Sequence, residues 1–227
     1  MKKKFIAFIP ARKGSQGIKD KNLIKIGTKK LVEYTFKEVN KIKGISCFVA
    51  TDDQRVKNIA KKYNINCEYQ RPKKVSNSQT PMIETLYDFN KKFKKKIDYD
   101  YVIILQPTSP LRSKKDIQKA IQEVNKKKLL SLTSISKSIE HPYESIFFKN
   151  KRYKPFFSGL KNFSCRQDFD KRSFFINGAI GIIHKTLIEK KKTEHKIRHG
   201  FVLMKKINSL DLNDVEELEI IKKILKR

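Results

Sequence analysis

Phe5-Ile-Ala-Phe-Ile9 and the loop it runs into, Pro10-Ala-Arg-Lys-Gly-Ser-Gln-Gly-Ile-Lys-Asp-Lys-Asn22, decide how the rest of the chain is read. The first five residues are apolar without alternation, as expected of a strand buried on both faces. The loop then supplies Gly14 and Gly17, a hydroxyl at Ser15, and cationic donors at Arg12 and Lys21. Glycines let backbone N–H groups approach a bound anion closely, and a polyphosphate needs several such donors together with positive charge. The spacing is neither the Walker pattern nor GxGxxG. A glycine-containing surface turn with incidental lysines would read the same way on local chemistry alone.

Beyond the loop the chain alternates between two periodicities. Val32, Phe36 and Val39 fall on one helical face, and Ser46–Ala50 forms the next strand. Val56, Ile59, Ala60 and Tyr63 repeat at helical spacing, Tyr101–Leu105 is a strongly apolar strand, and Ile117, Ala120, Ile121 and Val124 share a further helical face. Leu129–Ile135 and Phe201–Met204 are strand candidates, Ala179 opens another buried strand, and Val215, Leu218, Ile221 and Leu225 mark a last helix. Such alternation predicts an α/β fold: a doubly wound, mainly parallel, Rossmann-like sheet covered on both faces. Ligands then belong at the carboxyl ends of the strands.

The chain of 227 residues is expected to form one domain over 1–227. An excursion over about 141–175 breaks the alternation. It is rich in aromatic and basic residues, punctuated by Pro142, Pro155 and Gly159, and its aromatics need burial against something.

Composition narrows the function classes. Hydrophobic residues make up 38% of the chain, too many for a disordered segment. No apolar run approaches the ~18–20 residues that span a membrane, and Phe5–Ile9 is too short for a secretory core. The three cysteines form no CxxC or Cys/His cluster, so neither a disulfide framework nor structural zinc is expected, and the cytoplasm is the expected location. The net charge of +30 is spread in short groups such as Lys61–Lys62, Lys94–Lys96, Lys126–Lys128 and Lys190–Lys192. This reads as a solvated lysine-rich surface that draws in anionic nucleotides, without the signatures of a specific nucleic-acid module.

Pro10-Ala-Arg-x-Gly-Ser-x-Gly-Ile-x-x-Lys-Asn22 resembles the signature of the acylneuraminate cytidylyltransferases, the CMP-sialic acid synthetases. Ala50-Thr51-Asp52, Arg71-Pro72, Leu105-Gln-Pro-Thr-Ser-Pro-Leu-Arg112, His141-Pro142, Arg166-Gln167, Asn177-Gly-Ala-Ile180 and Ser209-Leu-Asp-Leu212 follow in that family's order. The likeness thus covers nearly the whole chain.

It implies transfer of CMP from CTP to the anomeric hydroxyl of a sialic-acid-like nonulosonic acid. Arg12, Gly14, Ser15 and Lys21 would hold the triphosphate, with Asn22 and Arg71 on the nucleoside. Gln106, Thr108, Ser109, Arg166 and Asn177 would line the sugar site, Arg166 gripping the carboxylate. Asp211 would bind Mg²⁺, with Asn213 as a weaker ligand, and the excursion would form a homodimer.

Each role has a plainer counterpart. Asn22 and Asn177 could be turn residues, Arg71 and Arg166 solvated arginines. Asn213 fits a helix N-cap with Glu216 completing a capping box, just as Ser113 and Asp116 do for the preceding helix. Family members usually carry an aspartate near Ser78, an arginine where Phe175 stands, and a second aspartate where Asn213 stands. These departures lie on the acceptor and metal side and leave the sugar open: legionaminic and pseudaminic acids are alternatives, and Kdo is a more distant one. A basic nucleic-acid-binding protein on a degenerate nucleotidyltransferase fold is the alternative outside enzymes.

Overall fold

A computed structural model describes residues 3–14, 18–77, 79–157, 173–194, 196 and 198–225. Its centre is a six-stranded sheet of β1 (Phe5–Pro10), β4 (Ser46–Ala50), β5 (Tyr101–Leu105), β6 (Ser131–Lys137), β9 (Phe174–His184) and β10 (His199–Leu203), and β2 (Lys25–Ile26) and β3 (Lys29–Lys30) form a separate two-stranded ribbon. The order across the large sheet is β10-β6-β9-β5-β1-β4. β1 pairs in parallel with both β4 and β5, and β10 in parallel with β6. β9 runs antiparallel between β5 and β6, so five strands share one direction.

β1 shows why its apolar run has no alternation. Phe5, Ala7 and Ile9 point to one face, where Val32 and Phe36 of α1 (Leu31–Asn40), Val56 and Ile59 of α2 (Gln54–Lys62), and Ile117 and Val124 of α4 (Lys114–Lys126) pack on them. Ile6 and Phe8 point to the other face, against Leu86 and Phe89 of α3 (Met82–Phe93) and Leu187 and Ile188 of α5 (Lys185–Glu189). Burying each such side chain contributes roughly 1.5–3 kcal/mol. A smaller core of Ile26, Leu31, Leu212, Leu218 and Ile221 docks α6 (Val215–Leu225) beside the start of α1.

The expected helices and strands form, with shifts of two residues at the starts of β6 and β10. The Ser113–Asp116 capping box is present: the Ser113 hydroxyl accepts from the Asp116 N–H, and the Asp116 carboxylate accepts from the Ser113 N–H. The box at α6 sits one residue later than the Asn213–Glu216 reading. Asp214 accepts from the Glu217 N–H at 2.9 Å, and Glu217 accepts from the Asp214 N–H at 3.2 Å. Asn213 is therefore outside the cap, its own N–H donating to Glu217 at 2.6 Å.

Within 141–175, β7 (Ile146–Lys149) and β8 (Arg152–Pro155) pair as an isolated antiparallel hairpin. Its two-residue turn puts Asn150 and Lys151 at φ of 54° and 59°, the left-handed geometry that matches strand twist.

Candidate active site

The carboxyl ends of β1, β4, β5, β6 and β10 meet at one edge of the sheet, where antiparallel β9 begins. The segments that follow β1, β4, β5 and β10, which carry Arg12, Asp52, Gln106 and Asp211, leave from this edge.

The loop after β1 is fastened from inside and outside. Gly14 has φ of +73°, a conformation strained for any side chain, and its carbonyl accepts from the Arg12 guanidinium at 2.8 Å. The Asn22 amide donates to the Arg12 carbonyl at 3.2 Å, and the Lys13 N–H donates to Asp52 at 2.6 Å. Arg55 grips Asp20 at 2.8 Å and Asp53 at 2.8 Å, holding both carboxyls below the usual range. It thereby ties the loop's exit to the start of α2. The sequence does not mark the Arg55–Asp20 pair, because Asp20 is 35 positions away and meets Arg55 only through the β1–β4 pairing.

Lys21 crosses to the far wall. It is 7% exposed, and its ammonium donates to the carbonyls of Leu212 at 2.9 Å and Asn213 at 3.2 Å. Among the described residues no carboxylate pairs with it. The strap that carries Asp211 is thus bound to the phosphate-type loop. Arg71 is buried beside the same region, its Nε donating to the Val75 carbonyl at 2.7 Å. Burial holds its guanidinium below the ordinary arginine value, and the like charge of Arg12 adds to this.

The Gln106–Arg112 turn packs under the Asp211 strap. Ser109 is fully buried and its hydroxyl donates to Asp211 at 3.1 Å, while the Leu212 N–H donates to the Thr108 carbonyl at 2.8 Å. Arg112, 2% exposed, anchors the turn by donating to the carbonyls of Gln106 and Ala179 and to the Thr35 hydroxyl. Burial pushes its guanidinium down to about 10. Gln106 and Thr108 are half-buried at the same edge.

Asn177 sits in a bulge of β9. Thr133 pairs with Gly181, but two residues on Ile135 pairs with Ile176, so the extra residues of β9 loop out around Gly178 at φ +67°. The Asn177 amide accepts from Ser134 at 2.6 Å and from the Ala179 N–H at 3.1 Å, and donates to Ser209 at 3.0 Å. Its polar atoms are therefore committed to joining β6, β9 and the strap. Ser15 and Arg166, like Ser78, lie outside the described residues.

A cleft of about 990 Å³ opens beside this junction. It is lined by Asn177, Ser209, Asp211 and Asn213, by the apolar Ile139, Phe175, Ile176 and Ile207, and by the charged Lys137, Glu140, Lys206 and Glu217. The described residues include no cluster of three or more His, Cys, Asp or Glu side chains. The donor set still fits a Mg²⁺ ion of the kind held by one carboxylate plus substrate phosphates. One oxygen of Asp211 takes the Ser109 hydrogen bond, and the residue lines the cleft.

The sequence pattern of the family described as cytidylyltransferase matches residues 6–222. An N-acylneuraminate cytidylyltransferase of Streptococcus agalactiae serotype III is 28% identical over 211 residues, covering 92% of this chain and 50% of that one. A pseudaminic acid cytidylyltransferase of Campylobacter jejuni is 25% identical over 231 residues, covering 98% of this chain and 97% of that one. A CMP-N,N'-diacetyllegionaminic acid synthase of Legionella pneumophila is 30% identical over 139 residues, 59% of each chain. The chain spans about half the length of the first of these relatives. A CMP:2-keto-3-deoxy-manno-octonic acid synthetase solved with CTP superposes with a TM-score of 0.71 at 16% identity over 98% of both chains, a likeness of fold. With the pattern running from β1 into α6, the chain belongs to the cytidylyltransferase family.

Proposed function

We propose that the protein transfers CMP from CTP to the anomeric hydroxyl of a sialic-acid-like nonulosonic acid. The observation that carries this reading is the Lys21 bridge, which sets a basic glycine loop and the Asp211 carboxylate on either side of one strand edge. A triphosphate fits between such walls, and the cleft beyond Asp211 is of a size for a nine-carbon sugar acid. The named relatives act on acids of this type.

In the reaction the anomeric oxygen bonds to the α-phosphorus, the bond from that phosphorus to the pyrophosphate oxygen breaks, and the hydroxyl proton is released. Arg12 and Lys21 offset the charge gathering on pyrophosphate, with Gly14 and Ser15 supplying close donors from the loop. Asn22 and Arg71 orient the nucleoside. Gln106, Thr108 and Arg166 address the sugar acid. Ser109, whose hydroxyl is turned to Asp211, positions that carboxylate, and Asn177 shapes the cleft wall. Asp211 would hold Mg²⁺ with help from the Asn213 amide oxygen, and the ion would supply charge neutralisation at the phosphates. The remaining contribution is alignment of the two reactants.

The decisive assay incubates the full chain with CTP, Mg²⁺ and a panel of nonulosonic acids, and follows pyrophosphate. Absence of release with every acid would defeat the proposal, and salt-sensitive RNA or DNA binding in its place would favour the nucleic-acid alternative. A cytoplasmic location suits Cys47 and Cys67, which are free thiols. A disulfide at either one in protein isolated from cells would argue against it.

The β7–β8 hairpin is proposed as the dimerisation arm. Ile146, Phe148, Tyr153 and Phe156 stand exposed on it, more apolar surface than an isolated hairpin leaves to water. Sedimentation should give a dimer for the parent and a monomer for Phe148→Asp, and a parent that sediments as a monomer at micromolar concentration would overturn this.

A further inference from the structure

Asp20-Lys21-Asn22, the exit of the loop after β1, is held at each of its three residues by a different partner. Lys21 donates to the Leu212 and Asn213 carbonyls of the strap, and Asn22 donates to the Arg12 carbonyl. Asp20 is held by Arg55 of α2, whose two terminal nitrogens donate to its two oxygens at 3.1 Å and 2.8 Å. The grip acts on a strained residue. Asp20 has φ of 53°, in the left-handed region that Asp tolerates better than most side chains but still at a cost.

The other end of this arm is anchored in the body of the fold. Asp53 is 6% exposed and caps α2 by accepting from the Arg55 N–H at 2.9 Å. Its own N–H donates to the hydroxyl of fully buried Thr51 at 3.0 Å. Arg55 returns its Nε and one terminal nitrogen to the two Asp53 oxygens, at 3.1 Å and 2.8 Å. One planar guanidinium thus joins a carboxylate fixed beyond the end of β4 to another on the loop exit, with charge-assisted hydrogen bonds on both sides. A small recess lined by Arg12, Gly14, Asn22, Asp20 and Asp53, among others, puts the two carboxylates next to the groups read as meeting CTP.

From this we infer that Arg55 is a positioning residue for nucleotide binding: through Asp20 it holds Lys21 and Asn22 in the arrangement that receives CTP. The inference rests on the nucleotide half of the CMP-transfer reading above. Without the arm the loop exit samples other backbone conformations, and CTP binds only the competent fraction, so its apparent affinity falls in proportion. Once CTP is bound the loop is in place, and the chemical step keeps nearly its parent rate.

Equilibrium dialysis of the full chain against CTP and Mg²⁺, without acceptor, reads the affinity directly. Arg55→Ala and Asp20→Asn should each weaken CTP binding about 10-fold. Asp20→Asn cuts the arm at its far end, leaving the Arg55–Asp53 pair intact and a residue that tolerates the left-handed conformation. The double variant should lose no more than either single one, because both remove the same contact. Arg55→Lys, which keeps the charge without the fork, should recover part of the loss. In turnover the defect should appear in KM for CTP, with kcat within about twofold of the parent and KM for the acid unchanged. Parent affinity in both single variants, or additive losses in the double one, overturns the inference and leaves CMP transfer standing. So does a fall in kcat or melting temperature with CTP affinity unchanged, the result expected of a merely structural pair. A parent that binds CTP yet releases no pyrophosphate with any acid defeats the transfer reading, and the affinities still decide the role of Arg55. A parent that does not bind CTP overturns both.

Discussion

Replacing Arg12 with alanine is expected to lower kcat/KM by about 10²–10³-fold, with the loss falling mainly on kcat. A guanidinium carries five N–H donors, and one of the Arg12 donors is used on the Gly14 carbonyl. The others belong to the same planar fork, which on the proposed reaction would meet the negative charge that increases as pyrophosphate departs. An interaction that strengthens along the reaction lowers the barrier more than it tightens binding. Arg12→Lys should recover part of the rate, because it restores charge without the fork. Steady-state pyrophosphate release measures both variants. An alanine variant as active as the parent would remove Arg12 from the site.

The second large effect is at Asp211. Asp211→Ala is expected to reduce kcat/KM by about 10³-fold, the scale of losing the charge that a bound metal brings to a phosphoryl centre. The residual activity should need far more Mg²⁺, since the nearest remaining carboxylates, Asp214 and Glu217, are engaged with each other in the α6 cap. The companion change runs in the opposite direction. Asn213→Asp adds a carboxylate two residues away, outside the α6 cap, and should lower the Mg²⁺ concentration for half-maximal rate. Because Asn213 is exposed and its capping neighbour is Asp214, stability should barely change. If Asp211→Ala kept the Mg²⁺ dependence of the parent, the metal assignment would be wrong.

Residues whose partners are near in sequence were legible, and those whose partners are distant were not. The buried run Phe5–Ile9 and the Ser113–Asp116 box follow from local chemistry and appear as read. The cap at α6 slipped by one residue because Asn213–Glu216 and Asp214–Glu217 offer the same pattern at adjacent registers, and packing of Leu218 and Ile221 chose between them. The direction of β9 leaves no mark on its composition, since an apolar strand reads alike either way. α3 was not foreseen. Its apolar positions, Ile83, Leu86, Phe89 and Phe93, gain meaning from the aromatic packing of Phe89 on Phe8, Phe48 and Tyr69. At the site, the loop composition announced Arg12 and Lys21. The Lys21 contact spans 191 positions, and the Arg112 contacts span up to 77, so only the folded chain reveals them.

The placement of β6 beside antiparallel β9 has an evolutionary side. Lys137 and Phe174 are paired neighbours, so the chain leaves the sheet and returns to it at points about 5 Å apart. Everything between them is an insert whose two ends already touch. Lengthening it would cost only about 0.6 kcal/mol of closure entropy per doubling and would leave the loop after β1 that carries Arg12 and Lys21 undisturbed. On the proposed function, the nucleotide half would stay constant while this cassette drifts, which would give the scaffold a ready route to new sugar substrates.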